Sequence, residues 1–293
     1  MRPSTVVQSF AGLLICRPDW TIQAYSECLP SLVTTAIPIQ PDLPFDQVFG
    51  RQFAHDVRGH VQSSTASGDP SFNPGVALGD VSVDVGCSRA GDVFVLTVEA
   101  GRPGRSVAPD ALARRYLQRL GTAQSFSEAA AIAGNLMRLF LRVDSVSVIG
   151  HDDAGEFDVL ASVGGRAPAL IREQIHAEAL VGLTSGMGVI ADATADVCRL
   201  IGEVPDESAL PALVRQPAPA LLDLLALRQT RSASWYLGPR ARGAPLIALA
   251  ECAMPPPPDM ARRKAADLAT QVLALMLDAR AAVAACPQRP AKS

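Results

Sequence analysis

The chain has 293 residues, of which 48% are hydrophobic and 19% charged, and its 26 Lys and Arg against 29 Asp and Glu give a formal charge of −3. This composition excludes a disordered chain and a disulfide-stapled miniprotein, and the length suits about two domains. The near-zero charge argues against nucleic-acid binding, which needs a basic face. Because no apolar run reaches the roughly 20 residues of a membrane span, we expect a cytoplasmic protein without membrane contact.

The first hundred residues predict a small α+β domain with an antiparallel sheet. Alternating or continuous apolar runs bounded by turn residues indicate strands, and apolar residues at helical spacing indicate a helix. The predicted elements are a strand from Val6 to Cys16 whose end forms a hairpin with residues 20–25, a helix from Asp46, a loop at 68–75, and a hairpin of strands 81–85 and 93–99.

The rest of the chain predicts a second, larger block that begins and ends with helices. Its elements are helices at 108–123 and 127–141, strands at 145–149 and 157–163, a helix at 169–180, a strand at 188–191, a helical stretch at 207–227, a hairpin of 232–237 with 245–250, and a helix at 259–285. We therefore predict one domain over residues 1–104, a second over 105–288, and a disordered tail at 289–293.

The last helix carries an apolar stripe, while Arg262, Arg263, Lys264 and Asp278 lie elsewhere around its wheel. Such a stripe packs on its own sheet or on a second subunit. The stripe contains Leu268, Val272, Leu275, Met276 and Ala279. With the helices at 108–141, it predicts a homodimer.

Motifs for metal, nucleotide or catalytic chemistry are weak. The six cysteines form no CxxC pair, which is typical of small buried hydrophobes, and we expect no disulfide. His55 and His60 are five residues apart and diverge on a helix, which disfavours a shared metal. The Gly-rich residues 183–188 lack the Gly-Lys-Ser/Thr of a P-loop, and no Ser-His-Asp set has a nucleophile-elbow context. We expect no enzymatic activity.

Several strings, in order along the chain, resemble the PAS–GAF photosensory core of bacterial phytochromes. Residues 7–15 are similar to its Ile-Gln-Pro-His-Gly-Ala-Leu-Leu opening, and 94–100 to its Leu-Ile-Leu-Glu-Leu-Glu strand. Residues 143–156 resemble its Asp-Arg-Val-Met-Val-Tyr hairpin with an Asp-Gly-Glu turn, and 226–237 its Leu-Arg-Ser and Glu-Tyr-Leu segments. The resemblance spans about residues 6–280. It implies an α+β fold of tandem PAS-like and GAF-like domains, each an antiparallel sheet flanked by helices.

The chain departs from this family at the positions that hold its bilin chromophore. No Cys precedes Val6 or lies at 231–234, the two attachment regions that the resemblance implies. Arg172 stands near the place of the Asp-Ile-Pro motif, Glu178 near that of the propionate-binding Arg, and Ala233 or Ser234 at that of the chromophore His. Buried polar groups of a tetrapyrrole left without partners cost about 1 to 3 kcal/mol each. With only five residues ahead of Val6, we also expect no knot between the domains.

These departures predict a phytochrome-like sensory or regulatory protein in signal transduction, without a covalent bilin and without an output domain, that acts through contacts with a separate signalling partner. We expect no cofactor. The alternative is a red/far-red photoreceptor that binds biliverdin non-covalently. If the second domain uses a pocket, the candidate ligand-binding residues are Arg172, His176, Cys198, Arg228 and Tyr236, with no metal ligand among them.

Overall fold

The computed structural model describes residues 6–64, 71–101, 116, 118–151, 157–165, 170, 183, 187–204, 216–239, 245–255 and 258–284. The strands are β1 (Val6–Gln8), β2 (Gly12–Cys16), β3 (Ile22–Ser26), β4 (Ser71–Leu78), β5 (Val81–Ala90), β6 (Val93–Ala100), β7 (Ser145–His151), β8 (Phe157–Gly164), β9 (Gly188–Ile190), β10 (Val197–Gly202), β11 (Ser232–Gly238) and β12 (Leu246–Cys252). The helices are α1 (Leu29–Leu32), α2 (Phe45–Phe49), α3 (Arg51–Ser64), α4 (Phe126–Leu141), α5 (Pro219–Leu227) and α6 (Met260–Ala284).

Seven of these strands form one sheet, in the order β1-β10-β3-β2-β6-β5-β4. All five residues of β2 are buried because both faces of the sheet are covered around it. Leu14 and Cys16 contribute to a core with α2 and α3 on one face, whereas Leu13 and Ile15 contribute to a smaller core on the other. Burial on both faces explains the continuous apolar run of this strand.

The helix predicted from Asp46 is confirmed, but it is split in two. Gly50 adopts φ 86°, a left-handed conformation that glycine tolerates, and it separates α2 from α3. The apolar residues of both helices face the sheet and are buried. They are Val48, Phe49, Phe53, Val57 and Val61.

Two strands of this sheet were not predicted. β4 begins inside the predicted loop at 68–75, which is therefore wrong from Ser71 onward. Pro74 and Gly75 suggest a turn, but the pairing with β5 shifts register between Asn73 and Val76 and so accommodates them. The backbone N–H of Gly75 donates to the Asp84 carboxylate at 2.9 Å, which fixes this irregularity.

The second unpredicted strand, β10, changes the division of the chain. It pairs with β1 and β3 of the first sheet, so residues 189–204 belong to the same compact unit as the first hundred residues. The buried Gln8 side chain also donates to the carbonyl of Val189 at 2.6 Å. The predicted second domain over 105–288 therefore differs from the observed second unit, which excludes this segment.

The second sheet has five strands in the order β8-β7-β12-β11-β9, and all of it except the end of β9 belongs to the second unit. Helix α4 is capped by Ser125, the residue before it, whose side-chain oxygen accepts from the Glu128 N–H. α4 and α6 cover one face of the sheet and share its main core. Alternate residues of the strands enter this core, among them Val146, Val148, Tyr236, Ala248 and Ala250.

The predicted hairpins of this unit, strand β9 and the long final helix are confirmed. The helical stretch predicted at 207–227 is confirmed only at Pro219–Leu227. The helix predicted at 169–180, most of the one at 108–123 and the tail at 289–293 lie outside the described residues.

Candidate functional site

The sheet of the second unit has a second face, opposite α4 and α6, which we call the distal face. Its members follow from strand alternation, because residues two apart on a strand point to the same side. Cross-strand pairing aligns them in rows, with Glu251 between Ser145 and Ala233, and Leu249 between Ser147 and Trp235. All six side chains are buried. A buried face that carries an acid, two hydroxyls and an indole is the natural candidate site of this unit.

The strongest polar contact on the distal face joins Arg228 to Glu251. Arg228 follows α5 directly, and its Nε and Nη2 donate to Oε1 and Oε2 of Glu251, both at 2.6 Å. Both side chains are 0% exposed. The Glu251 carboxylate also accepts from the hydroxyls of Thr230 at 3.3 Å and Ser145 at 3.4 Å. The fork-to-fork geometry satisfies both carboxylate oxygens and holds the end of α5 against the sheet.

This arrangement changes what Arg228 can do chemically. A buried ion pair holds its two charges because each neutralises the other, and removing one partner leaves an uncompensated charge that costs about 3 to 5 kcal/mol. A guanidinium bound in this way binds an anionic ligand only by giving up Glu251. The structure therefore places the predicted ligand residue Arg228 in an internal ion pair. Glu251, its partner, was not predicted, although one acid at the end of the apolar run Leu246–Ala250 was a signal for it.

Trp235 occupies the distal face beside β9. Its indole ring lies directly over Gly188, where a Cβ atom would overlap the ring carbons. The side chain is 3% exposed, and its Nε1–H has no hydrogen-bond partner among the described residues. A buried donor without an acceptor is uncommon and costly. This indole N–H is therefore a position where a ligand acceptor would gain a hydrogen bond.

The other polar groups of the distal face pair with each other. The hydroxyls of Ser147 and Ser162 are 3.1 Å apart, and the Ser162 oxygen accepts from the backbone N–H of Leu170 at 3.1 Å. Leu170 is itself buried. These contacts tie the segment after β8 to the sheet and leave the two serines with internal partners.

Tyr236, another predicted ligand residue, points to the opposite side of the sheet. It lies in the core formed with α4 and α6, and its hydroxyl is 2.8 Å from the Ser234 hydroxyl. Burial raises the pKa of the Tyr236 phenol well above its usual range, so the phenol stays neutral. Tyr236 therefore serves the core rather than the distal face.

Cys198 lies elsewhere again. It belongs to β10 of the first sheet, opposite Val7 of β1, so the expectation that it lines a cavity of the second domain is corrected. The pairing of β10 with strands about 170 to 190 residues away is not visible in the local sequence pattern. Arg172 and His176 lie outside the described residues. Arg228 and Tyr236 thus lie on opposite sides of the second sheet, and Cys198 belongs to the first unit.

The described ranges contain no group of three or more His, Cys, Asp or Glu side chains placed to hold a metal ion. Among the helices of those ranges, none is both long and apolar enough to cross a membrane.

Comparison with solved structures identifies the architecture. The chromophore-binding domain of Stigmatella aurantiaca phytochrome P1 matches with a TM-score of 0.75 at 16% identity, over 93% of this chain and 95% of that one. That of an unusual R. palustris bacteriophytochrome matches with a TM-score of 0.76 at 18% identity, over 96% of each chain. The chain has the PAS–GAF fold of a bacteriophytochrome chromophore-binding domain. The α+β prediction of tandem PAS-like and GAF-like domains is confirmed.

The chain is similar to these structures in fold, at a low sequence identity of 16 to 18%. The chain covers 59% of the S. aurantiaca photosensory core module, which it matches with a TM-score of 0.77 at 16% identity. No family model and no curated protein matches the sequence.

Proposed function

We propose that the chain is a phytochrome-like sensory or regulatory PAS–GAF module that acts through protein contacts and does not hold a bilin covalently. The observation that carries this proposal is the Arg228–Glu251 pair. In a fold shared with chromophore-binding domains, the Arg228 cation on the distal face donates to both carboxylate oxygens of Glu251, which lies on the neighbouring strand β12.

The described residues fit a bilin poorly. A tetrapyrrole brings propionates that need cations and pyrrole N–H groups that need acceptors, and each such group left unpaired costs about 1 to 3 kcal/mol. On the distal face the Arg228 cation is already neutralised, and the hydroxyls of Ser147 and Ser162 bond each other. Trp235 adds a large apolar ring where it packs on Gly188. These side chains support a protein core more than a chromophore site.

The test is reconstitution with biliverdin, using the S. aurantiaca chromophore-binding domain as the positive control. Purified full chain is mixed with a small excess of biliverdin, desalted, and its absorbance is recorded. We expect the spectrum of free biliverdin at most, with no pigment retained after denaturing electrophoresis. A red-absorbing band that comigrates with the chain and converts on illumination would overturn the proposal.

One observation favours the alternative, a photoreceptor with non-covalent biliverdin. The buried Trp235 Nε1–H lacks an acceptor among the described residues, and a bilin carbonyl would supply one. If this alternative holds, the reconstituted chain shows a red band that shifts in Trp235→Phe, because that variant removes the donor and keeps an aromatic ring. A matched Trp20→Phe variant, changed in the first unit, should leave that band in place.

We also propose that the protein contacts include a second copy of the chain. On α6 the residues Leu268, Val272, Leu275 and Ala279 follow at spacings of four, three and four, the pattern of a coiled-coil seam. Leu268 is 47% and Leu275 63% exposed, although large apolar side chains are usually buried. On α4, Leu139 is 66% exposed. The exposed apolar seam on α6 and the exposed Leu139 on α4, in the same unit, favour a symmetric helical interface.

Sedimentation of the full chain tests this contact. We expect a dimer that Leu275→Glu converts to a monomer, because two copies of the carboxylate would meet at the seam. Leu227→Glu is the matched control, since Leu227 is 60% exposed but lies at the end of α5. A monomeric wild-type chain at high concentration, or equal effects of the two variants, would contradict the interface.

A further inference from the structure

Two cysteines far apart in sequence lie side by side in the first unit. Cys28 directly precedes α1, and Cys198 lies on β10. β10 aligns Leu200 with Ser26 of β3, and the backbone N–H of Glu27 donates to the carbonyl of Arg199 at 2.9 Å. These backbone contacts fix the two cysteines on adjacent segments of the chain.

Both cysteines are free and pack in the same small core of the first unit, to which Cys198 contributes as a buried side chain and Cys28 as a partly buried one. The Cys28 sulfur also lies 3.4 Å from the Ser26 hydroxyl and 3.5 Å from the carbonyl of Ala11. These contacts hold the Cys28 side chain in place on the segment that adjoins β10, and cysteines on adjacent segments are the arrangement that a disulfide can bridge.

The two side chains also differ in accessibility. Cys28 is partly exposed, whereas Cys198 is only 9% exposed. Burial raises the pKa of the Cys198 thiol to about 12. Cys28 is therefore the sulfur that a dissolved oxidant reaches, and Cys198 is the neighbouring thiol that resolves it.

We propose that Cys28 and Cys198 form a redox-active dithiol that peroxide converts to a reversible disulfide. The Cys28 thiolate attacks one oxygen of hydrogen peroxide, which forms the sulfenic acid and releases hydroxide. The Cys198 sulfur then attacks the sulfenic sulfur, the S–S bond forms, and hydroxide leaves and takes up the Cys198 proton as water. In total, two thiols and one peroxide give one disulfide and two waters, and the two electrons pass from sulfur to oxygen. An added dithiol reduces this disulfide by thiol–disulfide exchange.

The disulfide would fasten β10 covalently to the junction of β3 and α1. β10 lies between β3 and the short edge strand β1, and main-chain contacts hold it to each. A cross-link between residues 28 and 198 closes a long loop, which constrains the unfolded chain and stabilises the native one. Oxidation would therefore raise the unfolding temperature of the first unit, independently of any ligand in the second.

Peptide mapping of the full chain after peroxide treatment tests the proposal. We expect the reduced protein to lose two of its six thiols and the Cys28 and Cys198 peptides to appear as one species that dithiothreitol separates. Cys28→Ser and Cys198→Ala should each abolish this species, whereas Cys252→Ser, changed at a partly exposed cysteine of the other unit, should retain it. If a variant fails to fold, the peptide map of the oxidised wild-type chain alone shows whether Cys28 and Cys198 are linked.

Two results would overturn the proposal that Cys28 and Cys198 form a redox-active dithiol. One is oxidation of Cys252 at a peroxide dose that leaves Cys28 and Cys198 unlinked in the wild-type chain. The other is an unchanged loss of two thiols in Cys198→Ala. A linked species whose unfolding temperature equals that of the reduced chain would refute the stabilising effect on β10.

Discussion

Removing one member of the Arg228–Glu251 pair should destabilise the second unit strongly, and removing both should restore most of the loss. Both side chains are fully buried, so Arg228→Met leaves the Glu251 carboxylate without its counter-charge. Breaking such a pair costs about 3 to 5 kcal/mol, which corresponds to roughly 6 to 20 °C in unfolding temperature for a unit of this size.

The double variant Arg228→Met with Glu251→Leu removes both charges and keeps most of the volume. The hydroxyls of Thr230 and Ser145 then lose an acceptor, at about 1 kcal/mol each. We therefore expect the double variant to lie within about 2 kcal/mol of the wild-type chain, well above either single variant. Non-additivity of this sign is the signature of a coupled pair.

Urea unfolding followed by Trp235 fluorescence measures these free energies. A Trp20→Phe background removes the other tryptophan, so the signal reports the second unit. The reasoning would be refuted if a single variant cost less than about 1 kcal/mol, or if the double variant lost the sum of the two single losses.

Two further predictions concern packing and pH. Gly188→Ala places a methyl group where the Trp235 ring lies. In the Trp20→Phe background, the tryptophan emission should therefore move to longer wavelength, and the free energy of unfolding should fall by about 1 to 3 kcal/mol. Unchanged emission would contradict the close approach of Gly188 and Trp235. Burial raises the pKa of the Cys87 thiol from 9.0 to about 12, so the native state binds more protons in that window. The contribution of the Cys87 thiol to the free energy of unfolding is complete below pH 9 and is lost as pH rises to about 12. In unfolding curves compared with wild type, Cys87→Ala should flatten this fall in the free energy of unfolding, by up to about 1.4 kcal/mol per pH unit.

Local patterns predicted the elements that are determined locally. The hairpin of β11 and β12, the Ser125 cap of α4 and the long α6 each depend on residues within one short segment. β10 was missed because its partners β1 and β3 lie about 170 to 190 residues earlier. The same long-range pairing moves Cys198 into the first sheet and beside Cys28.

The candidate site was predicted less well than the fold. Arg228 was predicted as a ligand-binding residue, but its role depends on Glu251, which reaches it only after β12 pairs into the sheet. Strand alternation assigns Tyr236 and Trp235 to opposite faces of the sheet. Which of the two faces packs against the helices depends on the tertiary structure, so the strand pattern alone does not show it. Sequence reasoning therefore identified unusual residues without identifying their partners.

The most direct test of the account is a light-induced difference spectrum of the full chain purified from cells that make biliverdin. The account predicts no absorbance change between red and far-red illumination, while the S. aurantiaca chromophore-binding domain prepared alongside gives one. A reversible red/far-red difference signal from this chain would contradict its central claim and assign it to the photoreceptors.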